Sequence, residues 1–148
     1  ALVREKVNKH KSSEDIGISH KSNKHKNIFV FEAKRLNNKF DKSRKKEYVV
    51  GKIGGIERFK RDAHGKNLSH SGMIAYVQTD DFNTWENKIN DWINEEIIAP
   101  SSPELKWQSG DKLIKQNKTL QIAKYTSCHS RLSKEQINLT HLWVNLVD

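Results

Sequence analysis

The stretch Ile28-Phe29-Val30-Phe31-Glu32-Ala33-Lys34 constrains this chain more than any other. Its β-branched and aromatic residues are consecutive rather than alternating, the pattern of a strand covered on both faces. Such a strand needs partners beside it and layers above and below, so a central sheet is expected. Further strand patterns supply the partners: Leu2–Val7, Asp15–Ser19, Gly72–Val77, Leu120–Tyr125 and Ile137–Leu146. Between them, Tyr48–Arg61 reads as a helix with Val49, Ile53 and Ile56 along one face, interrupted at Gly54-Gly55. Asp80 or Asp81 is placed to cap a second helix. In that helix Phe82, Trp85, Ile89, Trp92 and Ile93 make an apolar stripe that reads as core. Asn37–Lys46 and Pro100–Asp111 read as connectors. The expected fold is a single α/β domain over residues 1–148, a mixed central sheet flanked by helices.

Charge is distributed unevenly. The first 70 residues hold 19 Lys and Arg against 8 Asp and Glu, a net +11, while residues 71–148 hold 8 against 10, a net −2. A basic half concentrates polyanions and releases their counterions, which makes nucleic acid the first partner to consider. No apolar run approaches the length of about 20 residues that spans a bilayer, so no membrane partner is expected. No secretory signal is visible, and the lone cysteine, Cys128, precludes an intramolecular disulfide and suits a reducing cytosol.

The basic half also contains the residues with the most chemistry. A strand alternates faces, so Glu32 and Lys34 share a side, and Asp15 joins them if the Asp15–Ser19 strand pairs beside theirs. Two further Glu-x-Lys tripeptides, Glu86–Lys88 and Glu104–Lys106, lie in a helical pattern and a loop, where that spacing does not bring side chains together. Phosphodiester hydrolysis needs an activated water, neutralised charge on phosphorus and help for the leaving oxygen. Divalent ions held by hard oxygens serve all three needs. Asp15, Glu32 and the main-chain carbonyl of Ala33 are ligands of that kind, and Lys34 is a compact cation suited to the water or the phosphate.

Asp15-Ile16-Gly17-Ile18 followed by Phe29-Val30-Phe31-Glu32-Ala33-Lys34-Arg35-Leu36 resembles the core of the PD-(D/E)xK, or restriction-endonuclease-like, nuclease superfamily. That core is a helix, three antiparallel strands, a helix and a fourth strand, and residues 1–77 match it from the first strand onward. The resemblance implies a Mg²⁺-dependent deoxyribonuclease (Mn²⁺ substituting), of the kind that serves restriction or antiviral defence. Asp15 and Glu32 would bind metal with the Ala33 carbonyl, and Lys34 would be the catalytic lysine. Glu14 stands where the family often has Pro. The family's first helix, which often carries another Glu, has no counterpart before Ala1; it is expected upstream in a longer protein, the alternative being that Glu5 partly substitutes for it.

Arg35, Arg58 and Lys60 are the residues expected to meet nucleic acid; the resemblance further implies that the helix after Lys34 supplies an orienting polar residue, Glu57 or Arg58, the alternative being that these two form an external salt bridge. Trp107 is the one tryptophan left for base stacking, and His20 and His25 are near enough in sequence to touch phosphate. Cys128-His129 is excluded as a nucleophile and base, because neighbours in a strand point to opposite faces. Cutting both strands of a duplex calls for two active sites, hence a homodimer or a larger assembly. The alternative reading is a non-catalytic nucleic-acid-binding or assembly domain with a nuclease-like fold.

Overall fold

The computed structural model describes residues 3–10, 13–20 and 26–148, with side chains from Phe29 onward. Strands β1 (Val3–His10), β2 (Ser13–His20), β3 (Lys26–Leu36), β4 (His70–Val77), β5 (Ile114–Lys118), β6 (Ile122–Ser130) and β7 (Gln136–Asn145) form one mixed sheet in the order β1-β2-β3-β4-β7-β6-β5. β1, β2 and β3 run antiparallel, β4 lies parallel to β3 and to β7, and β7, β6 and β5 are again antiparallel. Two helices, α1 (Gly55–Lys60) and α2 (Phe82–Ile98), complete the mixed α/β architecture.

One face of the sheet carries the core. Along β3, Val30, Glu32, Lys34 and Leu36 are buried, and along β4 Ser71, Met73, Ala75 and Val77. Ladder pairing extends this face across β7 and β6 through Leu139, His141, Trp143, Tyr125 and Ser127. Ile56 and Phe59 of α1, and Phe82, Trp85, Ile89, Trp92 and Ile93 of α2, cover it. The apolar stripe expected of α2 is therefore core. On the other face Phe29 and Phe31 are only half-buried, packed on each other with ring centroids 4.6 Å apart. The consecutive apolar run in β3 thus has one buried face, not the two expected among the described residues.

The helix expected over Tyr48–Arg61 is shorter. Only Gly55–Lys60 is helical, and Gly54-Gly55 begins it rather than interrupting it. Gly51, at φ +113, turns the chain into a region that L side chains rarely adopt. The amides of Gly55, Ile56 and Glu57 then donate to the carbonyls of Glu47, Tyr48 and Val49 at 2.8, 3.1 and 2.9 Å. This folding-back satisfies first-turn donors that would otherwise need a side-chain cap. It also requires glycine at 55, because a Cβ there would meet the Met73 methyl and, at 2.9 Å, the Tyr48 carbonyl. Tyr48 and Val49 are thereby delivered to the core from turns.

At the other helix Asp81 is the N-cap, accepting from the Thr84 amide at 2.7 Å. Asp81→Ala is expected to cost about 1 kcal/mol, read as a fall of roughly 2–4 °C in the thermal midpoint; an unchanged midpoint would remove the cap from the account. Strand β5 escapes sequence reading because all five of its residues are exposed, so it shows no apolar alternation. The strand expected at Leu120–Tyr125 begins later, at Ile122, and continues to Ser130; Leu120, 87% exposed, lies in the preceding turn. Among the described residues no helix is long and apolar enough to cross a membrane.

Candidate functional site

Register brings the sequence-selected residues into one place. β2 and β3 pair with Asp15 opposite Glu32, and opposite positions in an antiparallel ladder lie on one face of the sheet. β3 continues in parallel with β4, so Glu32 stands opposite Met73 and Lys34 opposite Ala75, on the face covered by α1. Ala33, between them, is half-buried and belongs to the opposite face.

Glu32 is fully buried and surrounded by nitrogen groups. Lys34 Nζ lies 2.9 Å from its Oε1, Arg58 of α1 approaches the same oxygen at 3.7 Å, and His64 Nε2 lies 3.2 Å from Oε2. Burial alone would raise the carboxyl's pKa; His64 and Lys34 outweigh it and hold Glu32 below its ordinary 4.5. Lys34 is also committed elsewhere, donating to the Ile53 carbonyl at 2.6 Å, and is 3% exposed. The turn around Gly51–Gly54 thus lies over the lysine. Gly51 is itself held by Glu57, whose carboxylate accepts from its amide. Glu57 acts here on the covering turn and on Arg61, which it holds at 2.9 Å.

His64 was missed by sequence reading. It sits in a turn after α1 where Asp62 and Gly65 adopt φ +57 and +58, and the amides of Ala63 and His64 both return to the Arg58 carbonyl at 3.0 and 3.2 Å. The Asp-Ala-His-Gly sequence carries a turn signal, but nothing in it reveals that the turn ends at Glu32.

Other expected site residues lie elsewhere. Lys60, expected to meet nucleic acid, is fully buried and pairs with Asp111 at 2.8 Å, so that expectation is corrected. Trp107 is 6% exposed with the Lys60 ammonium 4.6 Å from its ring centroid, a core position rather than a stacking platform. Arg35 is exposed, its guanidinium 5.4 Å from the Phe40 ring centroid. Exposed Lys39, Lys42, Lys45 and Lys52 follow it along the connector into α1. His20 is placed at the end of β2 as backbone only, and His25 lies outside the described residues.

A second polar cluster crosses the core. Trp143 Nε1 donates to Tyr48 Oη at 3.0 Å, and Tyr48 Oη lies 2.6 Å from His141 Nδ1. Ser127 Oγ bridges His141 Nε2 at 2.7 Å and His129 Nε2 at 2.6 Å, and His129 Nδ1 reaches Asp111 Oδ1 at 2.5 Å. An indole only donates and a carboxylate only accepts, which sets the direction of the whole chain. Tyr48 donates to His141, His141 to Ser127, Ser127 to His129 and His129 to Asp111, with one proton on each imidazole. Asp111, His129 and Ser127 follow the hydrogen-bond order of a hydrolytic triad. Ser127, however, is 4% exposed, and its oxygen also serves His141. The cluster is structural. Ser127 and His129 alternate on β6, as His141 and Trp143 do on β7; that period was the available signal.

Helix α1 joins the two clusters, turning Arg58 toward Glu32 and Lys60 toward Asp111. As a metal site, the Glu32 centre fits a hard cation in one respect: a carboxylate has about four acceptor directions, and Lys34, Arg58 and His64 make three contacts with its two oxygens. Among the described residues no group of three or more His, Cys, Asp or Glu is gathered for a metal. Glu32 and His64 make two such groups, and Asp15 is placed by its backbone. Comparison with family models, with curated proteins and with solved structures found no match for this chain.

Proposed function

We propose that this protein is a metal-dependent nuclease that hydrolyses DNA phosphodiester bonds, with Asp15, Glu32 and Lys34 at its centre and a restriction-endonuclease-like core. The observation that carries the reading is the ladder position of Asp15 opposite Glu32, with Lys34 one pleat further on the same face. Asp15, Glu32 and the Ala33 carbonyl are the groups that would hold Mg²⁺ or Mn²⁺; bound there, the ion supplies an activated water and neutralises charge on the phosphate.

The chain's own residues supply the rest. Lys34, with two of its three donors on Glu32 and the Ile53 carbonyl, keeps one in a dry site where an interaction with a developing anion is strengthened. Arg58, half-buried beside Glu32, would be the residue that steadies the phosphate. Arg35 and the exposed lysines of the following connector form a basic approach for the DNA backbone. A homodimer or larger assembly would put a second centre on the opposite strand.

One observation favours the alternative, a nucleic-acid-binding domain without cleavage: Lys34 is covered by the Ile53 carbonyl. Supercoiled plasmid separates the two. With Mg²⁺, the unmodified protein is expected to nick it, EDTA to stop the reaction, and Glu32→Ala and Lys34→Ala to abolish it. Binding that weakens with salt, without cutting and unchanged in Glu32→Ala, would establish the binding domain instead.

A further inference from the structure

We propose that His64 is a positioning residue of the Glu32 centre: holding Oε2 while Lys34 holds Oε1, it fixes the plane of the carboxylate and so selects the lone pairs left for a divalent ion. The inference rests on the metal-dependent reading above and adds to it the residue that sets the ion's place.

The plainer role for an imidazole beside a buried carboxylate is to neutralise it. Charge does not require His64 for that, because Lys34 at 2.9 Å and Arg58 at 3.7 Å already share Oε1. What they leave undetermined is orientation, since both act on one oxygen and the group can rotate about that contact. A contact 3.2 Å from the other oxygen removes the rotation. An ionised carboxylate has about four acceptor directions, so Lys34, Arg58 and His64 leave room for an ion while defining where it enters.

The backbone is organised around this contact. Asp62 and Gly65 flank His64 at positive φ, a conformation rare for most residues. Glycine is required at 65, where a Cβ would come within 2.8 Å of Ser71 Oγ. Arg131, itself buried, donates to the Gly65 carbonyl at 3.0 Å and ties the turn to the end of β6. The Phe59 ring packs 5.4 Å from the imidazole, so the side chain is held from α1 as well. A turn fixed at both ends delivers one nitrogen to one oxygen, the support that outer partners of metal ligands provide.

The test measures Mn²⁺ binding by electron paramagnetic resonance, with plasmid nicking as a function of Mn²⁺ concentration beside it. His64→Ala is expected to weaken Mn²⁺ binding about 10- to 100-fold and to raise the half-maximal Mn²⁺ concentration for nicking by the same factor, while the rate at saturating metal changes much less. His64→Gln, whose amide nitrogen reaches the position of Nε2, recovers most of the affinity. Wild-type affinity in His64→Ala would overturn the proposal and leave the nuclease reading intact. An unmodified protein that neither binds Mn²⁺ nor cuts would remove that reading and the proposal together. Should His64→Ala not fold, His64→Asn carries the test, because its donor stands near the Nδ1 position and falls short of Oε2; wild-type affinity in that variant would overturn the assignment equally.

Discussion

Asp111→Ala is expected to destabilise the fold by about 3–5 kcal/mol, the range for breaking a buried ion pair from one side. Asp111 is fully buried and serves three donors: Lys60 Nζ at 2.8 Å and His129 Nδ1 at 2.5 Å on Oδ1, and the Gln108 amide at 2.7 Å on Oδ2. Burial pulls the Lys60 ammonium below its ordinary value while Asp111 opposes that shift. Without the carboxylate the ammonium keeps, among the described residues, the Lys106 carbonyl at 2.8 Å and the face of Trp107. For a chain of this length the loss corresponds to a fall on the order of 10 °C in the thermal midpoint. Replacing both partners, Lys60→Met with Asp111→Leu, should recover only the part due to the stranded ammonium, because the His129 imidazole and the Gln108 amide still lose their acceptor. Thermal unfolding of the three proteins decides the matter; a drop of only a degree or two for Asp111→Ala would mean that water or neighbouring groups solvate Lys60.

That ion pair also marks the limit of what the sequence reveals. The strand around Glu32 was legible because a run of consecutive β-branched and aromatic residues is a local signal, and so was the Asp81-capped helix with its apolar stripe. Lys60 and Trp107 were misread as surface groups because type and neighbours suggest solvent, while the residue that buries Lys60 lies 51 positions away. Nothing local to either end of such a pair identifies it. The false extension of α1 back to Tyr48 has a different cause. Val49, Ile53 and Ile56 fit a helical face, but Gly51 at positive φ and the close approach at Gly55 break the path, and the same apolar residues are used by turns.

The candidate site shows the same division. Asp15, Glu32 and Lys34 could be nominated together because one hairpin and one pleat relate them. Arg58 was nominated from its helix, and the structure gives it a position beside Glu32. His64 and the Ile53 carbonyl could not be found this way, since each reaches the site from a turn whose direction depends on α1 and β4. These turn-borne groups cover Lys34 and touch Glu32, and no local pattern in the sequence announces either contact.

Acid should unfold this protein early, and the buried histidines are the reason. Burial, with a contribution from the neighbouring His129, pushes His141 from its ordinary 6.5 down to about 3, and burial lowers His129 as well despite Asp111. A group whose folded pKa is depressed contributes its full stability above the unfolded value and loses it as pH falls toward the folded one. For His141 the window opens at 6.5 and runs downward, at about 1.4 kcal/mol per pH unit, so on the order of 2 kcal/mol is gone by pH 5 from this residue alone. His129 acts in the same direction. Glu32 and Asp111, both held below their ordinary values, add their losses only at lower pH. Hydrogen bonding explains why the imidazole resists protonation. A proton on His141 Nδ1 would face the Tyr48 hydroxyl, which already accepts from Trp143, and the tyrosine's own proton would lose its acceptor. Met73, opposite His141 on β4, and Tyr125, opposite it on β6, offer no charge to compensate. The thermal midpoint is therefore expected to fall by roughly 4–8 °C between pH 7 and pH 5, and His141→Gln to flatten that slope even if it lowers the midpoint at neutral pH. A midpoint that stays level across this range would mean that His141 is as readily protonated in the fold as in the unfolded chain, and the donor order assigned from Trp143 to Asp111 would be broken at that residue.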